Sequence, residues 1–157
     1  MKIGIVNTGC ANLHSLKFAL QSIEQKVLIS AERKALMGCD ILVLPGVGAF
    51  KMAMKHLNEL GLNEIILDFV KTGKQLIGIC LGMQLLASQS EEFGITNGLN
   101  LVSGSVTKLD QSATAKVPNV GWRETCGYNV VGGFLVPQPE YFYYTHSYQF
   151  TPDNNTN

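Results

Sequence analysis

The sequence predicts an α/β protein: a mostly parallel central sheet flanked by helices, with an added region of short strands in its second half. Three observations carry this. Apolar runs of strand length alternate with helix-patterned stretches from Ile3 to Ser88, the order that yields a parallel sheet with right-handed crossovers. The runs are unbroken in hydrophobicity, as strands buried on both faces are. From Leu99 onward the helical spacing gives way to short strand-like stretches separated by Gly, Pro and Asn.

Taken in order, Ile3–Val6 is the first strand, closed by the turn residues Asn7, Thr8 and Gly9. Leu13, Leu16, Phe18, Leu20 and Ile23 recur at roughly helical spacing, so a helix is expected over 13–24 with Asn12 as its N-cap. Val27–Ile29 and Ile41–Leu44 read as strands, with a short polar helix over 31–37 between them. Phe50–Leu60 and Asn63–Thr72 read as helices broken at Gly61. A strand then leads into Cys80, and a helix is expected over Leu81–Ser88. Short strands are expected over Leu101–Leu109, around Trp122, over Phe134–Val136 and over Phe142–Tyr148. Periodicity leaves Lys116–Trp122 unresolved, and Thr151–Asn157, polar and without an apolar anchor, is expected to fray.

The 157 residues suffice for one domain with a sizeable core, and no repeat or linker divides them. A formal net charge of zero and the lack of a Lys/Arg cluster speak against a nucleic-acid surface. No apolar run approaches a membrane span, and Met1–Val6 reads as a strand, not a signal peptide. The four cysteines (Cys10, Cys39, Cys80, Cys126) are widely spaced without a C-x-x-C pair, which points to a reducing, cytoplasmic setting. With three scattered histidines there is no metal-ligand pattern, and no metal or cofactor is expected.

The chemistry centres on Leu76-Ile77-Gly78-Ile79-Cys80-Leu81-Gly82-Met83-Gln84. A lone cysteine in an apolar run is ordinarily a packing residue. Here glycines stand two residues before and two after it, the G-x-nucleophile-x-G spacing of a strand-to-helix elbow. A nucleophile on so tight a turn has a strained backbone, and only glycines let the neighbouring chain pass that close. At a helix N-terminus the thiol also meets unpaired N–H groups and the positive end of the dipole. Cys80 is read as a nucleophile. Pro45-Gly46-Val47-Gly48 closes the third strand. Alone it is ordinary loop punctuation; at the carboxyl edge of an open α/β sheet it is also where ligands bind.

These stretches together resemble the class I (triad) glutamine amidotransferases, whose glutaminase domain is flavodoxin-like. Asn7-Thr8-Gly9-Cys10-Ala11-Asn12-Leu13, Leu44-Pro45-Gly46-Val47-Gly48-Ala49-Phe50 and the elbow Gly78–Leu86 carry the likeness. So do Ser90-Glu91-Glu92, read as continuing the elbow helix, Lys116–Trp122 with its Pro-x-x-Gly-Trp pattern, and Tyr141–Tyr148 ending in His-Ser-Tyr. The likeness runs over about residues 1–149. It implies that Cys80 attacks the side-chain amide of glutamine, forming a thioester and releasing ammonia. It implies an oxyanion site from the backbone of Gly46, Val47 and Gly48 with the N–H of Leu81. Gln84, His146, Ser147 and Tyr148 would line the glutamine pocket, and ammonia would pass to a (β/α)8-barrel cyclase subunit in a heterodimer.

One departure is serious. The family's general base and its carboxylate lie in a Gln-Phe-His-Pro-Glu type segment, whereas here Gln149-Phe150 is followed by Thr151-Pro152. His146 matches the pocket strand instead, and His14 and His56 fall on expected helices. The expectation is a glutaminase domain lacking its C-terminal portion, with an apolar sheet edge exposed and poor solubility. Asn7 stands where the family often has Asp, and Asn119 where it often has His. Three other readings stay open: a non-catalytic scaffold that kept the fold, a sister amidotransferase serving a different synthase, and, more weakly, a cysteine peptidase or deglycase on a similar sheet.

Overall fold

The computed structural model describes residues 1–9, 11–110, 116–125 and 140–153. Its first half alternates strand and helix: β1 (Lys2–Val6), α1 (Leu13–Gln21), β2 (Lys26–Ser30), α2 (Arg33–Met37), β3 (Ile41–Gly46), α3 (Phe50–Glu59), α4 (Leu62–Lys71), β4 (Gln75–Cys80) and the one-turn α5 (Leu81–Gln84). The four strands form a parallel sheet in the order β2-β1-β3-β4. Short strands follow: β5 (Gln89–Ser90), β6 (Thr96–Asn97), β7 (Gly104–Lys108), β8 (Asn119–Thr125), β9 (Glu140–His146) and β10 (Tyr148–Pro152). They make a mixed sheet in the order β10-β7-β5-β6 and a β8–β9 antiparallel ribbon.

Alternation along β3 explains the layers. Leu42 and Leu44 are fully buried on one face with Leu36 of α2, Phe50 and Leu57 of α3, and Ile66 and Phe69 of α4. Val43 points to the other face, where it joins Ile3 and Ile5 beneath Leu13, Leu16 and Leu20 of α1. An apolar strand with helices on both sides has no face left for polar residues, hence the unbroken hydrophobic runs.

Local signals also act as expected. The Asn12 side chain caps α1, accepting from Ser15 N at 3.3 Å. Asn7 Oδ1 accepts from Gly9 N at 3.1 Å, so the turn after β1 is held by its own asparagine. The helix break falls at Gly61, whose φ of 63° is left-handed.

Three expectations need correction. The helix after Cys80 ends at Gln84, not Ser88, and Ser90-Glu91-Glu92 does not continue it: Ser90 lies in β5. The carbonyls of Leu85, Leu86 and Ala87 accept from Leu99 N (2.9 Å), Leu101 N (2.9 Å) and Asn100 N (3.0 Å) instead of from a further helical turn. Thr151 and Pro152 do not fray; they pair with Ser105 and Gly104 as the end of β10, whose Phe150 packs on the main core. The strand expected over Phe134–Val136 lies outside the described residues.

Among the described residues β4 is an edge strand, and Ile77 and Ile79 on it are exposed (37% and 39%).

The junction of β3, β4 and α5 is built from glycines. A Cβ on Gly82 would run into the Leu44 carbonyl, whereas a Cβ on Gly48 would meet open space. We expect Gly82→Ala to lower the unfolding free energy by about 2–4 kcal/mol through overpacking against rigid backbone. Gly48→Ala should lose only about 1–2 kcal/mol, from the positive φ alone. Urea unfolding of both variants checks this, and equal losses would refute the steric account.

Candidate active site

The elbow has the geometry that its glycine spacing requires. Cys80 sits at φ 55°, ψ −119°, a conformation that costs a non-glycine residue about 1–3 kcal/mol. It is tolerated because the chain on both sides is fixed. Cys80 pairs in register with Gly46 at the end of β3, so strand pairing holds the residue from behind. A Cβ on Gly78 would lie 2.5 Å from Met83 Cα, and one on Gly46 would lie 2.9 Å from Gly82 N. Only hydrogen in these positions lets β3, β4 and α5 close around the cysteine. The Cys80 side of this junction is solvent-exposed. The expected long helix behind the thiol is reduced to one turn, so unpaired N–H groups of that turn remain but a full macrodipole does not.

A cavity of about 430 Å³ opens over the elbow, within the roughly 300–1,000 Å³ usual for small-molecule sites. Of the residues singled out in the sequence, Val47, Gly48, Cys80, Leu81, Gln84, His146, Ser147 and Tyr148 all line it. Gly46 does not. It is buried behind the loop, lining a small recess with Thr8, His56 and Leu85.

Glu92 contributes a carboxylate to the wall. Its Oε2 accepts from Phe50 N at 2.7 Å, the first residue of α3, where a carboxylate meets unpaired N–H groups and the positive end of the dipole. That bond also ties the loop between β3 and α3 to the segment after the elbow.

The opposite wall comes from β8, β9 and β10. Gln84 Nε2 donates to the Tyr148 carbonyl at 3.0 Å, which commits the amide nitrogen and leaves Oε1 as the acceptor. The His146 ring lies between two partners, with Nδ1 3.0 Å from the same Tyr148 carbonyl and Nε2 3.0 Å from Asn119 Nδ2. Both ring nitrogens are engaged, so His146 has none left to take a proton from Cys80. Among the described residues no other histidine lines the cavity: His14 lies on α1 and His56 faces the recess behind the loop. Neither is there a group of three or more His, Cys, Asp and Glu side chains able to hold a metal ion among the described residues.

Burial separates the two described thiols. Desolvation pushes the Cys39 thiol above its ordinary range, Lys2 acting weakly against it, and its Sγ–H is spent on the Ala35 carbonyl. Cys80 is exposed at the cavity.

Residues 5–127 match the CobB/CobQ-like glutamine amidotransferase domain. The imidazole glycerol phosphate synthase subunit HisH of Prochlorococcus marinus is 37% identical over 155 residues, covering 98% of this chain and 75% of that protein. The HisH subunit of Wolinella succinogenes is 42% identical over 152 residues, covering 93% and 73%. The chain belongs to the HisH family of glutamine amidotransferases. It spans about three quarters of the length of these relatives. A crystal structure of a glutamine amidotransferase superposes with a TM-score of 0.73 at 16% identity, over 98% of this chain and 75% of that one, a likeness of fold.

Sequence reading alone did not place Glu92 in the site, because its partner Phe50 is 42 residues away. It also missed Pro118, Val120 and Thr145, which line the cavity from the β8–β9 ribbon and the residue before it. Their only signal was membership of the segments that carry the family likeness.

A neutral alkylating reagent near neutral pH is expected to modify the exposed Cys80 faster than the buried Cys39, whose thiol is shielded from the reagent and pushed up by desolvation. Peptide mass spectrometry over a time course reads this directly. Equal rates would remove the distinction between the two thiols.

Proposed function

We propose that this chain is the glutaminase subunit of an imidazole glycerol phosphate synthase, hydrolysing glutamine and passing the ammonia to a cyclase subunit in histidine biosynthesis. The observation that carries the reading is a cysteine on a strained, glycine-locked elbow, opening into one cavity with Gln84, Glu92 and the His146–Tyr148 segment.

In this reading Cys80 Sγ attacks the Cδ of glutamine. The carbonyl oxygen becomes the tetrahedral oxyanion, and collapse to the thioester expels ammonia, which takes up a proton as it leaves; water then hydrolyses the thioester to glutamate. The N–H of Leu81 and the backbone of Gly46, Val47 and Gly48 are assigned to the oxyanion. Gly46 serves by holding the loop against the elbow rather than by facing the cavity. The α-ammonium of glutamine finds acceptors in the Glu92 carboxylate and Gln84 Oε1, which favours an amino acid over a neutral amide. The described residues are thus the nucleophile, oxyanion and substrate-binding parts of one glutaminase domain. The general base is assigned outside them, since His146 has both nitrogens engaged.

A (β/α)8-barrel cyclase subunit is the proposed partner. Val120, Trp122, Tyr141 and Tyr143 share one exposed face of the β8–β9 ribbon, with Trp122 and Tyr143 edge-to-face at 5.7 Å. An exposed aromatic patch beside a cavity is the usual mark of an interface. No helix among the described residues is long and apolar enough to cross a membrane, and we place the enzyme in the cytoplasm.

The test uses a glutamine analogue bearing an electrophilic diazoketone in place of the amide. It should label Cys80, glutamine should protect against it, and Cys80→Ala should abolish the labelling. Labelling that glutamine does not slow, or that falls on another residue, would sink the reading. The scaffold alternative predicts no selective labelling at all.

A further inference from the structure

Asn119 is half-buried at the start of β8 and pairs in register with His146 on β9. Its amide orientation follows from its neighbours. Arg123 has only donors, and its Nε–H donates to Asn119 Oδ1 at 3.0 Å. The guanidinium is held there by two further bonds, Nη1 to the Trp122 carbonyl (3.0 Å) and Nη2 to the Val120 carbonyl (3.4 Å). Oδ1 therefore faces Arg123, and the Nδ2 amide group, a donor only, faces His146 Nε2 at 3.0 Å. A donor opposite Nε2 requires a bare lone pair there, which puts the proton of the neutral ring on Nδ1. The other end of the ring requires the same: Nδ1 lies 3.0 Å from the Tyr148 carbonyl, which can only accept. Two independent partners thus select one tautomer.

The Tyr148 carbonyl receives two donors, His146 Nδ1–H and Gln84 Nε2–H. Both side chains are thus anchored on one backbone oxygen at the start of β10. An unbroken polar chain therefore runs from Arg123 on the outside of the ribbon through Asn119, His146 and the Tyr148 carbonyl to Gln84 in the cavity wall, next to the elbow.

We propose that Asn119 is a positioning residue for glutamine recognition: it fixes the Nδ1–H form of His146, which through the Tyr148 carbonyl holds Gln84 in place. The proposal rests on the glutaminase reading, and it assigns Asn119 no contact with the substrate. Removing its amide leaves Nε2 without a donor, frees the ring to take up the other tautomer or rotate, and loosens one of the two bonds that define the Gln84 wall.

The experiment reads the imidazole ¹⁵N shifts of His146, assigned by His146→Gln, together with glutamine affinity measured by calorimetry in a Cys80→Ala background where no turnover occurs. In the parent, Nδ1 should carry the proton and Nε2 should be bare near neutral pH. Asn119→Ala should shift both nitrogens toward an average of the two tautomers and weaken glutamine binding roughly three- to tenfold, the scale of one neutral hydrogen bond. Asn119→His should restore both readouts, because a neutral imidazole can accept from Arg123 and donate to His146 as the amide does. A parent with its proton on Nε2, or an Asn119→Ala protein with unchanged shifts, overturns the proposal. Altered shifts with unchanged affinity overturn the recognition role. Failure of the parent to bind glutamine would bring down the glutaminase reading and the recognition role with it, while the shifts would still decide how His146 is wired. Backbone amide spectra of each variant separate these outcomes from misfolding.

Discussion

The close approach of three backbone segments at one point governs this structure. β3 ends at Gly46, β4 delivers Cys80, and α5 turns back at Gly82, and each contact is made where a side chain is missing. The strain at Cys80 persists because the surrounding chain leaves it no alternative. Parallel pairing of β3 and β4 holds one side, and the burial of Leu42, Leu44, Phe50 and Phe69 beneath the sheet makes that pairing rigid. The apolar core thereby holds an exposed thiol in an unfavourable conformation.

Around that point the cavity is closed by polar bonds between segments distant in sequence. Glu92 reaches the first N–H of α3, and Gln84 reaches the Tyr148 carbonyl. The division is physically sensible. A rigid apolar scaffold sets Cys80 and the loop beside it, while directional bonds set the polar groups that face the cavity.

Much of the fold was legible in the sequence, and the reasons can be stated residue by residue. Ile3–Val6 and Ile41–Leu44 announced buried parallel strands because both of their faces had to be apolar. Asn12 announced a helix start because its side chain can cap one. Gly78 and Gly82 announced the elbow because no other residue fits. What stayed hidden was set by partners far along the chain. The helix after Cys80 tightens at its end, where Leu86 N and Ala87 N donate to the carbonyls three residues back, and residues 98–102 then take the carbonyls of 85–88. Thr151 and Pro152 are polar and look like a free tail, yet Ser105 and Gly104 offer them a strand to pair with. In the site, Cys80 carried its own steric signal, whereas the Pro-Gly-Val-Gly loop alone read as ordinary punctuation, and Gln84, Ser147 and Tyr148 were found only by family likeness. The state of His146 was in neither, since it depends on an arginine that faces outward.

The bond between Gln84 and Tyr148 spans 64 residues of chain, and this distance sets an order of assembly. The four strands of the parallel sheet pair with one another, so once Cys80 and its turn have emerged the elbow can form from contacts of modest range. The wall that selects the ligand comes much later, after β9 and β10. Contacts of long sequence separation close slowly because the loop between them must first be ordered. A growing chain therefore passes through a stage in which the thiol is already displayed but has nothing to recognise. For that interval the nascent polypeptide carries a cysteine that its own structure does not shield from oxidation.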